Sequence, residues 1–193
     1  MATALPSIYL IRHGETAWSL SHQHTGHTDI PLTERGERDA RALSAKLQAT
    51  QFAKVWTSPL SRARRTAELA GFADRLETSD DLMEWDYGAY EGRRTSEIRA
   101  EHPGWNPFVD GCPGGETVAD VGRRADHVLA RVRAMQGNVA LFAHRDILRV
   151  LIARWIALAA SEGQRLYLET ASISVLGYDH DATEPVIRSL NIV

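Results

Sequence analysis

Two histidines and several arginines stand where a chain of alternating strands and helices would bring them together. Arg12-His13-Gly14-Glu15-Thr16 follows a short apolar run, Arg62 follows Val55-Trp56-Thr57 and Ser58-Pro59 within two turns, and His144 follows the apolar run at residues 139–143. Ligands of open α/β sheets sit at the carboxyl ends of the strands, and helix N-termini there favour anions. An imidazole whose second N–H is held by an acceptor can attack phosphorus in line. Neighbouring guanidiniums keep it neutral by like-charge repulsion and stabilise the equatorial oxygens of the transition state. Glu84, just beyond a strand-like segment, is placed to protonate a leaving alkoxide, with Glu15, Glu91 and Glu116 as rival carboxyls. Phosphate-monoester hydrolysis can require an acceleration of up to about 10²¹-fold. General acid catalysis supplies only about 10²–10⁴ of that, so a clamp of several cations is needed beside the nucleophile. Glycine at position 14 would let a substrate approach the backbone with no Cβ in the way.

The elements that must position these residues are legible as periodicities. Residues 7–11 predict a short buried strand, 33–48 an amphipathic helix with Ala40, Leu43 and Leu47 on one face, and 55–57 a second strand. Ser58-Pro59 predicts a helix start with a side-chain cap and a first-turn proline. A weak strand at about 75–78 leads to a region rich in Gly, Pro and aromatics, which runs to Gly115 and holds one short helical piece near 96–101. Such a segment over a sheet edge suits a substrate cap, at about 85–115. Thr117-Val118-Ala119-Asp120 reads as a capping box opening a helix that buries Val118, Val121, Ala125, Val128, Leu129, Val132 and Met135 and stops at Gly137. A strand at 138–143, a helix over 145–159 and strands at 166–168, 173–178 and 186–190 complete the chain, which predicts a single α/β domain over 1–193 with a sheet between helices.

Composition sets the class. The chain has 193 residues, 44% of them apolar and 24% charged, enough for one sizeable core and not for a disordered chain. A net charge of −3 argues against a nucleic-acid binder. The 20 arginines against 2 lysines supply guanidinium forks suited to phosphate. Cys112 is the only cysteine, which points to a reducing compartment, and neither a secretion signal at residues 1–6 nor a membrane span is expected. The expected location is the cytoplasm.

Together these motifs resemble the histidine phosphatase superfamily, in the branch that includes the cofactor-dependent phosphoglycerate mutases. Arg12-His13-Gly14-Glu15-Thr16 is similar to the family signature, with His13 in the phosphorylated position. Ser19 and Thr25-Gly26 match positions that contact phosphate or substrate, Ser58-Pro59-Leu60-Ser61-Arg62-Ala63 matches the second-arginine motif, and Glu84 and His144 fall on the acid/base and second-histidine positions. The resemblance implies a three-layer domain with a mostly parallel sheet flanked by helices. It also implies a phosphohistidine mechanism in which Arg12, Arg62 and His144 hold the phosphoryl oxygens, with no metal or organic cofactor. The implied partner is a small phosphorylated metabolite, with no nucleic acid and no membrane, and the number of subunits is left open. The stretch from Trp85 to Gly92, with Trp105, Asp110-Gly111-Cys112 and Gly115-Glu116-Thr117, looks most like the sedoheptulose-1,7-bisphosphatase group, which favours a sugar phosphate or bisphosphate as substrate.

One departure stands out, because family members usually carry glycine after the second histidine and this chain has Arg145-Asp146. Arg145 is assigned to phosphate binding, with neutralisation by Asp146 or Glu84, or obstruction of the pocket, as the other outcomes. Tyr87 is assigned to substrate contact, against a satellite core made with Trp85, Tyr90 and Trp105. One of Arg93, Arg94 or Arg149 is a candidate for a second phosphate. Alternatives to a phosphatase are a mutase-type phosphotransferase and a phospho-ligand binding module whose chemistry Arg145 spoils. A metal-dependent hydrolase using His22, His24 and His27 would want aspartate at Gly26, and His144-Arg145-Asp146 lacks the asparagine of a kinase loop, since Leu151 stands there.

Overall fold

Three of the strands end level with one another, and that alignment sets the rest of the molecule. The computed structural model describes residues 5–193, so residues 1–4 of the stretch weighed above as a signal lie outside it. In chain order the elements are β1 (Ile8–Arg12), α1 (Ala17–Leu20), α2 (Glu34–Leu47), β2 (Phe52–Thr57), α3 (Ser61–Ala67), β3 (Leu76–Thr78), α4 (Thr95–Glu101), α5 (Pro107–Asp110), α6 (Val118–Arg133), β4 (Asn138–Ala143), α7 (Arg145–Trp155), β5 (Ile173–Tyr178) and β6 (Pro185–Ile192). They form one six-stranded sheet in the order β3-β2-β4-β1-β5-β6. The first four strands are parallel, and β5 and β6 join antiparallel. Arg12 pairs with Ala143 and Thr57 with Phe142. The ladder continues one step beyond the strands, because His13 N donates to Ala143 O at 3.0 Å and Ser58 N to Phe142 O at 2.9 Å.

Helices cover both faces, as a parallel sheet requires. Ile8, Leu10 and Trp56 pack with Val128 and Leu129 of α6 and Leu148 and Leu151 of α7. Ile11, Val55 and Phe142 pack on the other face with Leu43 and Leu47 of α2 and Ala67 of α3. Each such buried side chain stabilises by roughly 1.5–3 kcal/mol relative to exposure. The caps act as the sequence predicts: Thr33 Oγ1 accepts from Gly36 N, and Thr117 and Asp120 exchange side-chain to backbone bonds at the start of α6.

Four local expectations are corrected. Helix α3 begins at Ser61 with no side-chain cap, because Leu60 and not Ser58 stands at the cap position; the Ser58 hydroxyl meets His144 Nε2 at 2.8 Å and accepts from Leu60 N at 3.3 Å. Helix α6 ends at Arg133, which leaves Val118 and Met135 only partly buried at its two ends. Helix α7 stops at Trp155, two residues before Ala157 takes a left-handed φ of 61°. Residues 166–168 form no strand: Leu168 O accepts from Arg12 Nη1 at 2.6 Å, and the chain has left the sheet there. The aromatics of the 84–116 region are core, with Trp85, Tyr90 and Trp105 all buried, and Arg124 of α6 ties the region down through Met83 O and Glu116. No helix is long and apolar enough to cross a membrane among the described residues.

Candidate active site

His13 stands at the end of β1, buried at 5% exposure. Its Nδ1 donates to Gly14 O at 2.7 Å, which fixes the tautomer and leaves Nε2 without a hydrogen-bond partner among the described residues. Burial, and then the charges of Arg62 and Arg12, hold its pKa well below the ordinary histidine value, so the ring is a neutral base. Gly14 owes its identity to a neighbour, which corrects the expectation that it makes room for substrate. A Cβ there would lie 2.5 Å from Gly36 O in α2, and one on Gly36 would lie 2.2 Å from Glu15 O.

Arg12 donates through Nη1 to Leu168 O, and its buried Nε has no hydrogen-bond partner among the described residues. Burial, followed by the charge of Arg145, lowers its pKa to about 10, so it remains a cation. Glu84 is buried against the first turn of α7. Its Oε1 accepts from Trp85 N at 2.9 Å and Ile147 N at 3.0 Å, while Asp146 N lies 3.0 Å from Oε2. Burial and the adjacent Asp146 carboxylate raise its pKa despite these bonds, which favours a group able to carry a proton. Burial pushes Asp146 the other way to the net result, since the Arg145 and Arg149 guanidiniums outweigh it and hold this carboxyl well below the usual range.

Arg12, His13, Ser19, Thr25, Glu84, Tyr87 and Arg145 line one cavity of about 240 Å³. Arg62 and His144 are fully buried behind it, with the His144 ring 5.2 Å from that of His13. Arg62 Nε donates to His144 Nδ1 at 3.1 Å, and its remaining nitrogens donate to the carbonyls of Thr25, Gly26 and Thr28. His144 is therefore the neutral Nε2–H tautomer, donating to Ser58 Oγ. In this arrangement the two residues hold the 25–28 loop and each other. Gly26 is not on the cavity wall: a Cβ there would meet Glu91 Oε1 at 2.1 Å and Trp85 O at 2.3 Å, so it is glycine for packing.

His22, Gln23, His24 and Thr95 also line the cavity, a placement that the sequence reading of substrate contacts misses. The signal was the histidine-rich run itself, read only for metal. His24 donates or accepts at Thr95 Oγ1 at 3.1 Å, and burial lowers its pKa to about 4, whereas His27 points to Asp86 at 3.9 Å. The one group of potential metal ligands that converges among the described residues is the exposed Asp179, His180 and Glu184. Arg93 pairs with Glu101, Arg94 binds Ser21 O, and Arg149 is spent on Asp146, Gly163 O and Gln164 O, so none of the three faces the cavity. The Cys112 thiol is pushed up to about 12 by burial, which removes it as a nucleophile.

Known proteins resemble this chain in sequence and in fold. Residues 8–192 match the model of the histidine phosphatase superfamily (branch 1). An acid phosphatase of Mycobacterium tuberculosis is 39% identical over 187 residues, covering 95% of this chain and 92% of the relative. A sedoheptulose 1,7-bisphosphatase of Saccharomyces cerevisiae is 33% identical over 221 aligned positions, covering 97% and 80%. A solved structure of a Mycobacterium tuberculosis open reading frame superposes with a TM-score of 0.92 at 37% identity over 97% of this chain and 98% of that one. An alpha-ribazole phosphatase from Shigella flexneri does so at 0.82 and 27% over 96% of each. Since the matched span runs from the central strand that carries His13 to the edge strand β6, the chain belongs to the histidine phosphatase superfamily and is a phosphatase.

Proposed function

We propose that this phosphatase hydrolyses a small phosphate monoester of a sugar-like metabolite in the cytoplasm, through a phosphohistidine at His13. The observation that carries the reading is the His13 ring, neutral and fixed by Gly14 O, with Nε2 unpartnered on a cavity shared with Arg12 and Glu84. The Nε2 lone pair attacks phosphorus, and the bond to the ester oxygen breaks in line. Glu84 supplies the proton to the departing oxygen from Oε2, the oxygen with fewer backbone donors. The resulting carboxylate then takes a proton from the water that attacks phosphohistidine, which breaks the P–N bond and releases inorganic phosphate.

Arg12 faces the phosphoryl oxygens with its unpartnered Nε, and Arg62 adds positive field from behind His13. The Nε2–H of His144 reaches a phosphoryl oxygen by exchanging its bond to Ser58. Guanidiniums supply the electrophilic stabilisation, so the reaction needs no metal or organic cofactor. Ser19 and Thr25 contact the ester from the loop side, and the 85–115 region forms the cap through Tyr87.

Phosphate release from a sugar-phosphate panel in EDTA, with wild type and His13→Ala, tests the reading. Rapid-quench labelling with radioactive substrate should give an acid-labile, alkali-stable label in wild type and none in the variant. Release that survives in His13→Ala, or that appears only when metal is added, would overturn it. Label transfer to a second hydroxyl in place of water would make the protein a mutase.

A further inference from the structure

Arg145 occupies the first position of α7, directly after His144. Its Nε donates to Asp146 Oδ1 at 3.0 Å. Asp146 is fully buried and doubly braced, by Arg149 Nη1 at 2.7 Å and by the Tyr87 hydroxyl at 2.5 Å. The Arg145 head is thus held from one side only. Its two Nη groups have no hydrogen-bond partner among the described residues, and the side chain, 38% exposed, lines the cavity. A pre-oriented guanidinium with an open fork is the side-chain geometry that takes phosphate or carboxylate bidentately.

The other cations around the cavity differ. Arg62 and Arg149 spend their donors on backbone carbonyls, His144 and Asp146. Arg12 is deeper, at 9% exposure, adjacent in sequence to His13, and has no ion pair among the described residues. Arg12 and Arg145 therefore sit at two depths of one cavity, the inner beside the nucleophile and the outer toward the mouth. Among the described residues the only carboxylate paired with Arg145 is shared with Arg149, so the cavity carries more positive charge than its own carboxylates neutralise. The same wall also carries the neutral polar side chains of Ser19, Gln23, His24, Thr25 and Thr95, a lining suited to hydroxyl groups.

We propose that Arg145 binds a second anionic group of the substrate. The preferred substrate then carries, besides the ester phosphate attacked by His13, a further phosphate or carboxylate across a short hydroxylated chain. This rests on the phosphatase reading above and sharpens it, since the expected second-anion residues Arg93, Arg94 and Arg149 are all committed elsewhere.

The test compares kcat/KM for fructose 1,6-bisphosphate against fructose 1-phosphate, and for 3-phosphoglycerate against glycerol 3-phosphate. Wild type, Arg145→Gln and Arg145→Lys are measured on all four. Asp146 keeps Arg149 and Tyr87 in both variants, so the site retains its brace. Wild type should prefer the doubly anionic member of at least one pair by about 10- to 100-fold, the range expected of a charge-assisted contact. Arg145→Gln should erase that preference mainly through KM, and Arg145→Lys should restore part of it as a point charge without a fork. The pair that shows the preference identifies the second anion as phosphate or carboxylate. No preference in either pair would overturn the proposal. So would equal losses on both members in Arg145→Gln, which would put this guanidinium on the reacting phosphoryl group. Failure of the phosphohistidine reading shows separately, as absence of label at His13 whatever the ratios.

Discussion

Glu84→Gln separates proton delivery from the other duties of the site. A glutamine whose carbonyl takes the Oε1 place keeps the bonds from Trp85 N at 2.9 Å and Ile147 N at 3.0 Å, and also the 3.2 Å contact to Asp146 N. Only the 3.0 Å contact of Asp146 N to Oε2 is replaced by two donors facing each other. One compromised buried bond costs about 1–3 kcal/mol. In a chain of this length each kcal/mol moves Tm by about 2–4 °C, so the variant folds with a Tm lowered by a few degrees to about 10 °C. The chemical loss is of another kind, about 10²–10⁴ in rate for a general acid, or about 3–5 kcal/mol of barrier. It should depend on the leaving group, because an alkoxide needs the proton and p-nitrophenolate departs without it. The ratio kcat/KM on glycerol 3-phosphate and on p-nitrophenyl phosphate, across pH, reads the phosphorylation half-reaction alone, apart from the hydrolysis of phosphohistidine that both esters share. Burial and the Asp146 carboxylate raise the pKa of Glu84, so turnover of the alkyl ester should fall as pH rises through that raised value. The limb should vanish in the variant. An equal loss on both esters, or a limb that persists in Glu84→Gln, would refute the assignment of the proton to this carboxyl.

Two more expectations follow from burial and backbone contact. His13, His24 and His144 all have lowered pKa values, in each case chiefly through burial. Below about 6.5 the unfolded chain therefore takes up protons that the folded chain refuses, and stability is complete above that pH and declines as pH falls. Each histidine contributes up to about 1.4 kcal/mol per pH unit, until its folded value is reached, which for His24 is about 4. Urea unfolding at pH 7 and pH 5 should show His24→Gln losing about 2 kcal/mol less than wild type over that interval, and equal losses would count against a buried neutral His24. Gly14→Ala and Gly36→Ala each force a Cβ against backbone, at 2.5 and 2.2 Å. Overpacking of this kind costs about 1–3 kcal/mol. Both should lower Tm and kcat together, and an unchanged kcat in either would mean that the α2 contact does not position His13.

The residues at the strand ends were legible because short apolar runs, each closed by a charged or polar motif, leave little choice of where a parallel strand stops. Arg12, His13 and His144 fall where that reading puts them, as do the capped starts of α2 and α6. What escaped depends on partners distant in sequence. Ser58 has the form of a helix cap, yet its hydroxyl serves His144, 86 residues away. The extended run at 166–168 reads as strand, but the Leu168 carbonyl goes to Arg12, 156 residues away. His24 resembles a metal ligand in a histidine-rich run, yet it lines the cavity, its loop held by the bridge of Gln23 to Arg94 and by backbone bonds to Gly92 and Arg93, far along the chain. Gly14 and Gly26 are both explained by neighbours that no local pattern announces.

The position of β1 bears on when the enzyme comes into being. This first strand is the one element that joins the parallel and antiparallel parts of the sheet, with Ile8 facing Val139 on one side and Leu176 on the other. Such long-range pairing pays loop-closure entropy before it is rewarded, which makes it slow. A nascent chain emerging N-terminus first can form α2 and join β2 to β3 early. The strand carrying His13 has no neighbours to pair with until β4 and β5 have been synthesised. Interruption of synthesis after β4 but before β5 leaves β1 paired on one edge only, with its other edge open to aggregation. Full support of the strand that carries His13 thus arrives only with the C-terminal hairpin, which contributes no residue to the cavity wall.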